Sequence, residues 1–245
     1  MKLCRFQIGG RTRDGIVEGG FVVERDVPAT HHALGEVRLL APVQPRKYLA
    51  IGLNYADHIA ESGLEAPEVP FFFNKQVTCV VGPGEDVHMP RVSKLLDYEG
   101  ELAIVVGTIA KNVKRADWRD FVRGFACAND VTARDLQKKD VQFTRAKSFD
   151  TFCALGPCIE DDLDVSALKL QTRVNGEVKQ DGNTSQMVFP CDFLFEFITS
   201  IMTLLPGDVI LTGTPAGVGP LNVGDEVAVT IEGIGTLTNK VVKRG

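Results

Sequence analysis

Apolar residues recur along this chain in short runs. "KYLAIG", "TCVVGPGEDVHMP", "GELAIVVG", "GFACANDVT" and "PCIEDD" are brief, rich in β-branched residues and mostly bounded by glycine or proline. That pattern predicts strands buried on one or both faces. "LKLQTRVNGEVKQDG" alternates around Asn175-Gly176, a pair that favours a type I′ hairpin. The tail "DVILTGTPAGVGPLNVGDEVAVTIEGIGTLTNKVV" holds two or three further strands. Ahead of them, "KLCRFQI" and "GIVEGGFVVE" are strand-like pieces broken by glycines, and two prolines precede the apolar run at Tyr48. A boundary near Pro45 follows. It predicts a small N-terminal β segment over 1–45, packed on a main domain over 46–245.

Helical periodicity is sparse. "RADWRDFVRG" aligns Trp118, Phe121 and Val122 and stops at Gly124. "CDFLFEFITSIMTLLPG" places Phe193, Phe197, Ile201 and Leu204 on one stripe ahead of Pro206-Gly207. "GLNYADHIAESG" predicts a short helix capped by Asn54 or Asp57 and ended by Gly63. The fold class is a mixed, β-rich α+β sheet core with a few covering helices, not an alternating βαβ chain.

Composition adds exclusions. The chain has 245 residues, net charge −5, a pI of about 5.5 and no basic block, which argues against a nucleic-acid partner. No apolar run approaches the ~18 residues of a membrane span, and "MKLCRFQIGG" lacks a signal-peptide core. A cytoplasmic protein is expected. The six cysteines include no Cys-x-x-Cys pair and read as reduced core thiols.

The candidate chemistry begins in "LLDYEGELAIVVG". Glu99 and Glu101 are one residue apart at the mouth of an apolar strand, so their side chains share a face and repel. Asp130 ends another apolar strand. Three carboxylates at strand ends, with no His or Cys among them, suit a hard cation such as Mg²⁺ or Mn²⁺, with coordination positions left open for substrate. A row of acids on a solvated sheet edge is the alternative. His58 and Glu61 stand at i and i+3, the relation of a carboxylate that steers an imidazole base, or of a surface ion pair. Lys147, among Phe143, Phe149 and Phe152, either meets an anion or snorkels, and Lys75 in "FFFNKQ" has the same two readings. The glycine-rich turn "ILTGTPAGVG", with Thr212 and Thr214, offers N–H groups and hydroxyls to a carboxylate but lacks a P-loop ending.

Taken in order, "GLNYADHIAE", "DYEGELAIVVG", "ANDVTARDLQ", "RAKSFDT" and "LTGTPAGVG" make residues 46–240 similar to the fumarylacetoacetate hydrolase family, and to its smaller members. The resemblance implies a β-roll fold, usually in a homodimer. It implies Mg²⁺ or Mn²⁺ held by Glu99, Glu101 and Asp130, and Lys147 beside the ion. It also implies Gln137 and Thr214 on substrate oxygens, and His58 with Glu61 as a water-activating dyad. Family substrates are 2-oxo acids and 1,3-diketones. Members that cleave acylpyruvates often carry an arginine at the position of Leu53, and Arg134 or Arg145 is the substitute available here. The expected activity is metal-dependent C–C hydrolysis of an acylpyruvate or fumarylpyruvate, with oxaloacetate decarboxylation on the same site. The alternatives are isomerisation or decarboxylation of a hydroxymuconate-type acid, and a non-catalytic, metal-dependent oxo-acid-binding protein.

Overall fold

A computed structural model describes residues 1–25 and 29–244. Its centre is the strand Gly100–Val106, every residue of which is buried. Alternation explains this. Leu102, Ile104 and Val106 enter one apolar cluster, while Ala103 and Val105 enter the other. A strand covered on both faces has no polar side to spare. It pairs antiparallel with Val122–Asp130 on one edge and with Val209–Leu211 on the other. Val209–Leu211 then runs parallel to Tyr48–Gly52, which pairs antiparallel with Phe71–Lys75. On the far side Val122–Asp130 meets Cys153–Glu160, and Lys2–Ile8 joins there edge to edge through Lys2↔Glu160 and Leu3↔Ile159. The N-terminal strands therefore extend the large sheet, which has twelve strands.

A five-stranded sheet stands against it, built from the hairpin Lys169–Val174/Glu177–Asn183, then Glu226–Ile231, Gly235–Lys243 and Asp86–Met89. Asn175 (φ 52°) and Gly176 (φ 82°) make the expected type I′ turn. A third sheet of three short strands sets Leu96–Tyr98 between Thr132–Ala133 and Gly219–Leu221. Among the described residues no helix is long and apolar enough to cross a membrane. All six cysteines are free and buried.

Two helices differ from their expected form. Arg115–Phe121 is a 3₁₀ turn, and Val122 already belongs to a strand. Phe125 has to reach the core from that strand, and Gly124 passes so close that a Cβ there would lie 2.4 Å from the Glu160 carbonyl oxygen. Trp118 still packs inward, against Phe125 and Phe195. The second helix runs Cys191–Ile201 and stops before Leu204, which forms a bridge with Ala110. Its buried side is Cys191, Leu194, Phe195 and Ile198. Phe193 and Phe197 instead stack along the outer side with Phe189, and Ile201 is exposed. Both stripes have helical spacing, so periodicity alone does not say which one the core takes.

The short helix is Ala56–Ser62, ended by Gly63 in the left-handed region as expected. Neither expected N-cap acts as one. Tyr55 holds the cap position without a side-chain bond. Asn54, fully buried, instead donates to the carbonyls of Thr212 and Phe189 and accepts from the Phe189 N–H. It ties the start of the helix to the strand Val209–Leu211 and to the segment before Cys191. Asn54→Ala should leave three backbone groups without their partner, one buried and two partly buried, at a cost of about 2–4 kcal/mol. The melting temperature should fall by about 5–10 °C. A shift below about 2 °C in a thermal melt would show that water replaces the amide.

A buried charge cluster in an aromatic-walled cavity

The register of two strands gathers the acids. Gly100 lies opposite Asn129 and Glu101 opposite Ala128. Continuing that register puts Glu99 opposite Asp130, and the Asp130 N–H donates to the Glu99 carbonyl at 2.9 Å. Opposed residues of an antiparallel pair share a face, as do i and i+2. Glu99, Glu101 and Asp130 must therefore converge, and one oxygen from each lies within 4.8 Å of the others. All three are buried.

Cations answer most of this charge. The Lys147 ammonium donates to Glu99 Oε2 at 2.7 Å and to Asp130 Oδ2 at 2.8 Å. Lys75 is fully buried and pairs with Asp130 Oδ1, with a second bond to the Phe152 carbonyl at 3.0 Å. Arg134 spans Asp97 Oδ2, at 2.7 Å, and Glu99 Oε1, and also donates to Gln137 Oε1 at 2.6 Å. Four carboxylates thus face three cations. Burial alone would push Glu99 up, but the Lys147 and Arg134 charges outweigh it and hold the carboxyl at about 2. Its ionisation supports the fold above the ordinary glutamate range, and that support fades as pH falls toward 2.

Glu101 is left over. Its one hydrogen bond comes from the Gly213 N–H at 2.7 Å. Gly213 has φ 94° on the glycine-rich turn, a conformation a side chain would resist. Burial, then the charges of Asp130 and Glu99, push the Glu101 carboxyl well above the usual range. The donor set therefore fits a divalent cation: three hard oxygens converge, and one of them, on Glu101, has no cationic side chain bonded to it.

A cavity of about 490 Å³ opens over the cluster. Glu99, Glu101, Lys147, Arg134, Gln137 and Thr214 line it, together with His58 and Glu61 from the helix Ala56–Ser62. His58 Nδ1 stands 3.5 Å from Glu61 Oε2, near but without a hydrogen bond. The Glu61 carboxylate is anchored by the Gly217 N–H at 3.0 Å. Leu53 also lines the cavity, at φ 53°, rare for a residue with a Cβ.

Two expectations need correcting. Lys75 does not line the cavity, because its ammonium is held behind Asp130 as a counter-charge. Arg145 points outward and pairs with Asp140, leaving Arg134 as the guanidinium in the cavity. The Thr214 hydroxyl is already committed, donating to the Gly100 carbonyl and accepting from Gln180. Two residues escaped the sequence reading. Asp97 continues the alternation of Glu99 and Glu101 by one more step, a signal that was present. Gln180 holds Thr214 and the Gly100 N–H from the neighbouring hairpin, and nothing local marks it.

Comparison with known proteins fits this geometry. Residues 47–242 match the model of the fumarylacetoacetate (FAA) hydrolase C-terminal family, and residues 1–42 match an Rv2993c-like N-terminal model. The chain is 52% identical to Protein Rv2993c of Mycobacterium tuberculosis over 215 residues, 86% of this chain and 81% of that one. It is 44% identical to the mitochondrial oxaloacetate tautomerase FAHD2A of Homo sapiens over 220 residues, 84% of this chain and 70% of that one. The solved structure of a 5-carboxymethyl-2-hydroxymuconate delta-isomerase from Mycobacterium smegmatis superposes with a TM-score of 0.93, at 46% identity and full coverage of both chains. The chain belongs to the fumarylacetoacetate hydrolase family.

Proposed function

We propose that this chain hydrolyses a C–C bond in an acylpyruvate, a 2-oxo acid with a second carbonyl two carbons away. One observation carries the reading: a single cavity brings the imidazole–carboxylate pair His58 and Glu61 to the same space as Lys147 and the carboxylate cluster. A Mg²⁺ or Mn²⁺ ion held by Glu99, Glu101 and Asp130 would supply Lewis-acid polarisation of the 2-oxo group. Arg134 has N–H groups beyond its three bonds, and with Gln137 it receives the substrate carboxylate. His58 takes a proton from water, with Glu61 orienting the ring. The hydroxide adds to the distal carbonyl carbon, and the C–C bond breaks with its electron pair on the pyruvate fragment. Lys147 spends two of its three N–H donors on Glu99 and Asp130, so the third is free for the enolate oxygen. His58 returns its proton to the enolate carbon, which yields pyruvate and a carboxylic acid. Loss of CO₂ from oxaloacetate would use the same lysine and need no attacking water.

A second reading is proton transfer alone, as in a keto–enol tautomerase or an isomerase. It is favoured by the missing hydrogen bond between His58 and Glu61, and a relative from Homo sapiens is named an oxaloacetate tautomerase.

His58→Ala tests the dyad on which the hydrolase reading depends. Acylpyruvate hydrolysis should fall on the order of 10²–10⁴-fold, while oxaloacetate decarboxylation, followed by a coupled pyruvate assay, should fall much less. Hydrolysis at the wild-type rate would remove the dyad from the mechanism. Lys147→Met keeps the length and removes the charge. Its loss should fall mainly on kcat, because the enolate charge exists chiefly in the transition state. A change confined to KM would make Lys147 a simple substrate anchor.

A further inference from the structure

The cavity is chemically lopsided. Its floor is the charged cluster. Its outer arm is walled by Phe71, Phe73, Phe143, Leu53, Leu64 and Val218. The three rings form one unit: Phe71 and Phe73 each meet Phe143 edge-on with centroids 5.5 Å apart. The unit begins at the charged floor, because the Lys147 ammonium lies 5.4 Å from the centre of the Phe73 ring. It leads outward to Phe71 and Leu64, which are 43% and 58% exposed. Large apolar side chains left open at the mouth of a polar cavity await an apolar occupant.

The backbone accommodates this wall. Phe71 pairs across the strands with Gly52, and a Cβ on Gly52 would lie 2.6 and 2.8 Å from two atoms of the Phe71 ring. Only a glycine at position 52 leaves the Phe71 ring its present place in the cavity wall. The charges nearby agree. Glu61 lines the same cavity and is 48% exposed, so it would repel a second carboxylate. Lys138, directly after Gln137, also lines the cavity, and with Arg134 it is assigned to the substrate carboxylate.

We infer that the outer arm is a subsite for an apolar acyl group, so the acylpyruvate taken carries an aromatic or medium-length alkyl chain and not a second carboxylate. Phe71, held by Gly52, sets this specificity together with Phe143 and Leu53. The inference rests on the proposed hydrolase reading for its chemistry, but the shape and polarity of the arm can be tested without turnover.

Calorimetry on the Mn²⁺-loaded protein compares 4-phenyl-2-oxobutanoate with 2-oxoadipate. Neither has the distal carbonyl that hydrolysis needs, and they differ in the outer group alone. The phenyl compound should bind on the order of tenfold tighter, the value of seating one ring against aromatic walls. Phe71→Ala should lower that ratio several-fold. Gly52→Ala should lower it too, by turning the Phe71 ring into the arm. Equal or tighter binding of 2-oxoadipate to the wild type would overturn the subsite, as would a ratio unchanged in both variants. A kinetic arm with benzoylpyruvate and fumarylpyruvate keeps the two proposals apart. No hydrolysis of either, with the phenyl preference intact, refutes the hydrolase and leaves the subsite. Hydrolysis that favours fumarylpyruvate refutes the subsite alone.

Discussion

Three carboxylates held within 4.8 Å of one another and almost out of water set the terms for the rest of this molecule. At an effective dielectric constant of 20, each pair of unit charges at about 4 Å costs on the order of 4 kcal/mol. Strand pairing makes the juxtaposition unavoidable, since Glu99, Glu101 and the cross-strand Asp130 have to share a face. Counter-charge must therefore arrive from elsewhere in the chain. Lys75 comes from the strand beyond Tyr48, Lys147 from a four-residue helix, and Arg134 from the turn after Thr132–Ala133. Each pairs where loss of its partner would leave a buried charge alone, so the cluster locks together segments far apart in sequence.

The same cluster divides the cavity. Ammonium, guanidinium and carboxylate groups at the floor recognise oxygen-rich, anionic groups. The phenylalanines beyond Lys147 recognise none. A ligand that fills both parts is anionic at one end and apolar at the other. In the proposed hydrolysis the enolate charge would develop against Lys147, and the carboxylic acid product would leave along the apolar wall. The helix Ala56–Ser62 carries the proposed base at the boundary between the two parts, fastened by Asn54 below and by the Glu61 bond to Gly217 above.

The convergence of the acids was legible because strand alternation is rigid arithmetic: i and i+2 share a face whatever surrounds them. Asp97 obeyed the same arithmetic and was passed over, because its partner Arg134 lies 37 residues away. The strands and the Asn175-Gly176 turn were legible for similarly local reasons. Lys75 and Lys147 looked alike in sequence, each set among aromatic residues, and only tertiary placement puts one behind the acids and the other over the cavity. Gln180 left no trace, since its bonds to Gly100 and Thr214 depend on how a separate sheet lies against the strand. The helix Cys191–Ile201 was legible at its start but not at its end, and its buried side was not legible because two apolar stripes have similar spacing. Resemblance to a known family, carried by the order of the motifs, supplied an expectation that physics alone did not: substrate contacts for Gln137 and Thr214, of which the Thr214 hydroxyl is already bonded within the protein.

On the proposed reading, a divalent ion would relieve the repulsion that the fold holds around Glu101. The most direct measurement is Mn²⁺ titration by calorimetry on wild type and Glu101→Gln, paired with melting curves of both proteins in chelator. One ion per chain is expected for the wild type, with an affinity at least tenfold weaker for the variant. A higher melting temperature is also expected for the ion-free variant, since a neutral amide keeps the Gly213 bond and removes the like charge. Unchanged Mn²⁺ affinity together with a lower melting temperature would contradict this reading, and would make Glu101 an ordinary buried acid that the fold needs ionised.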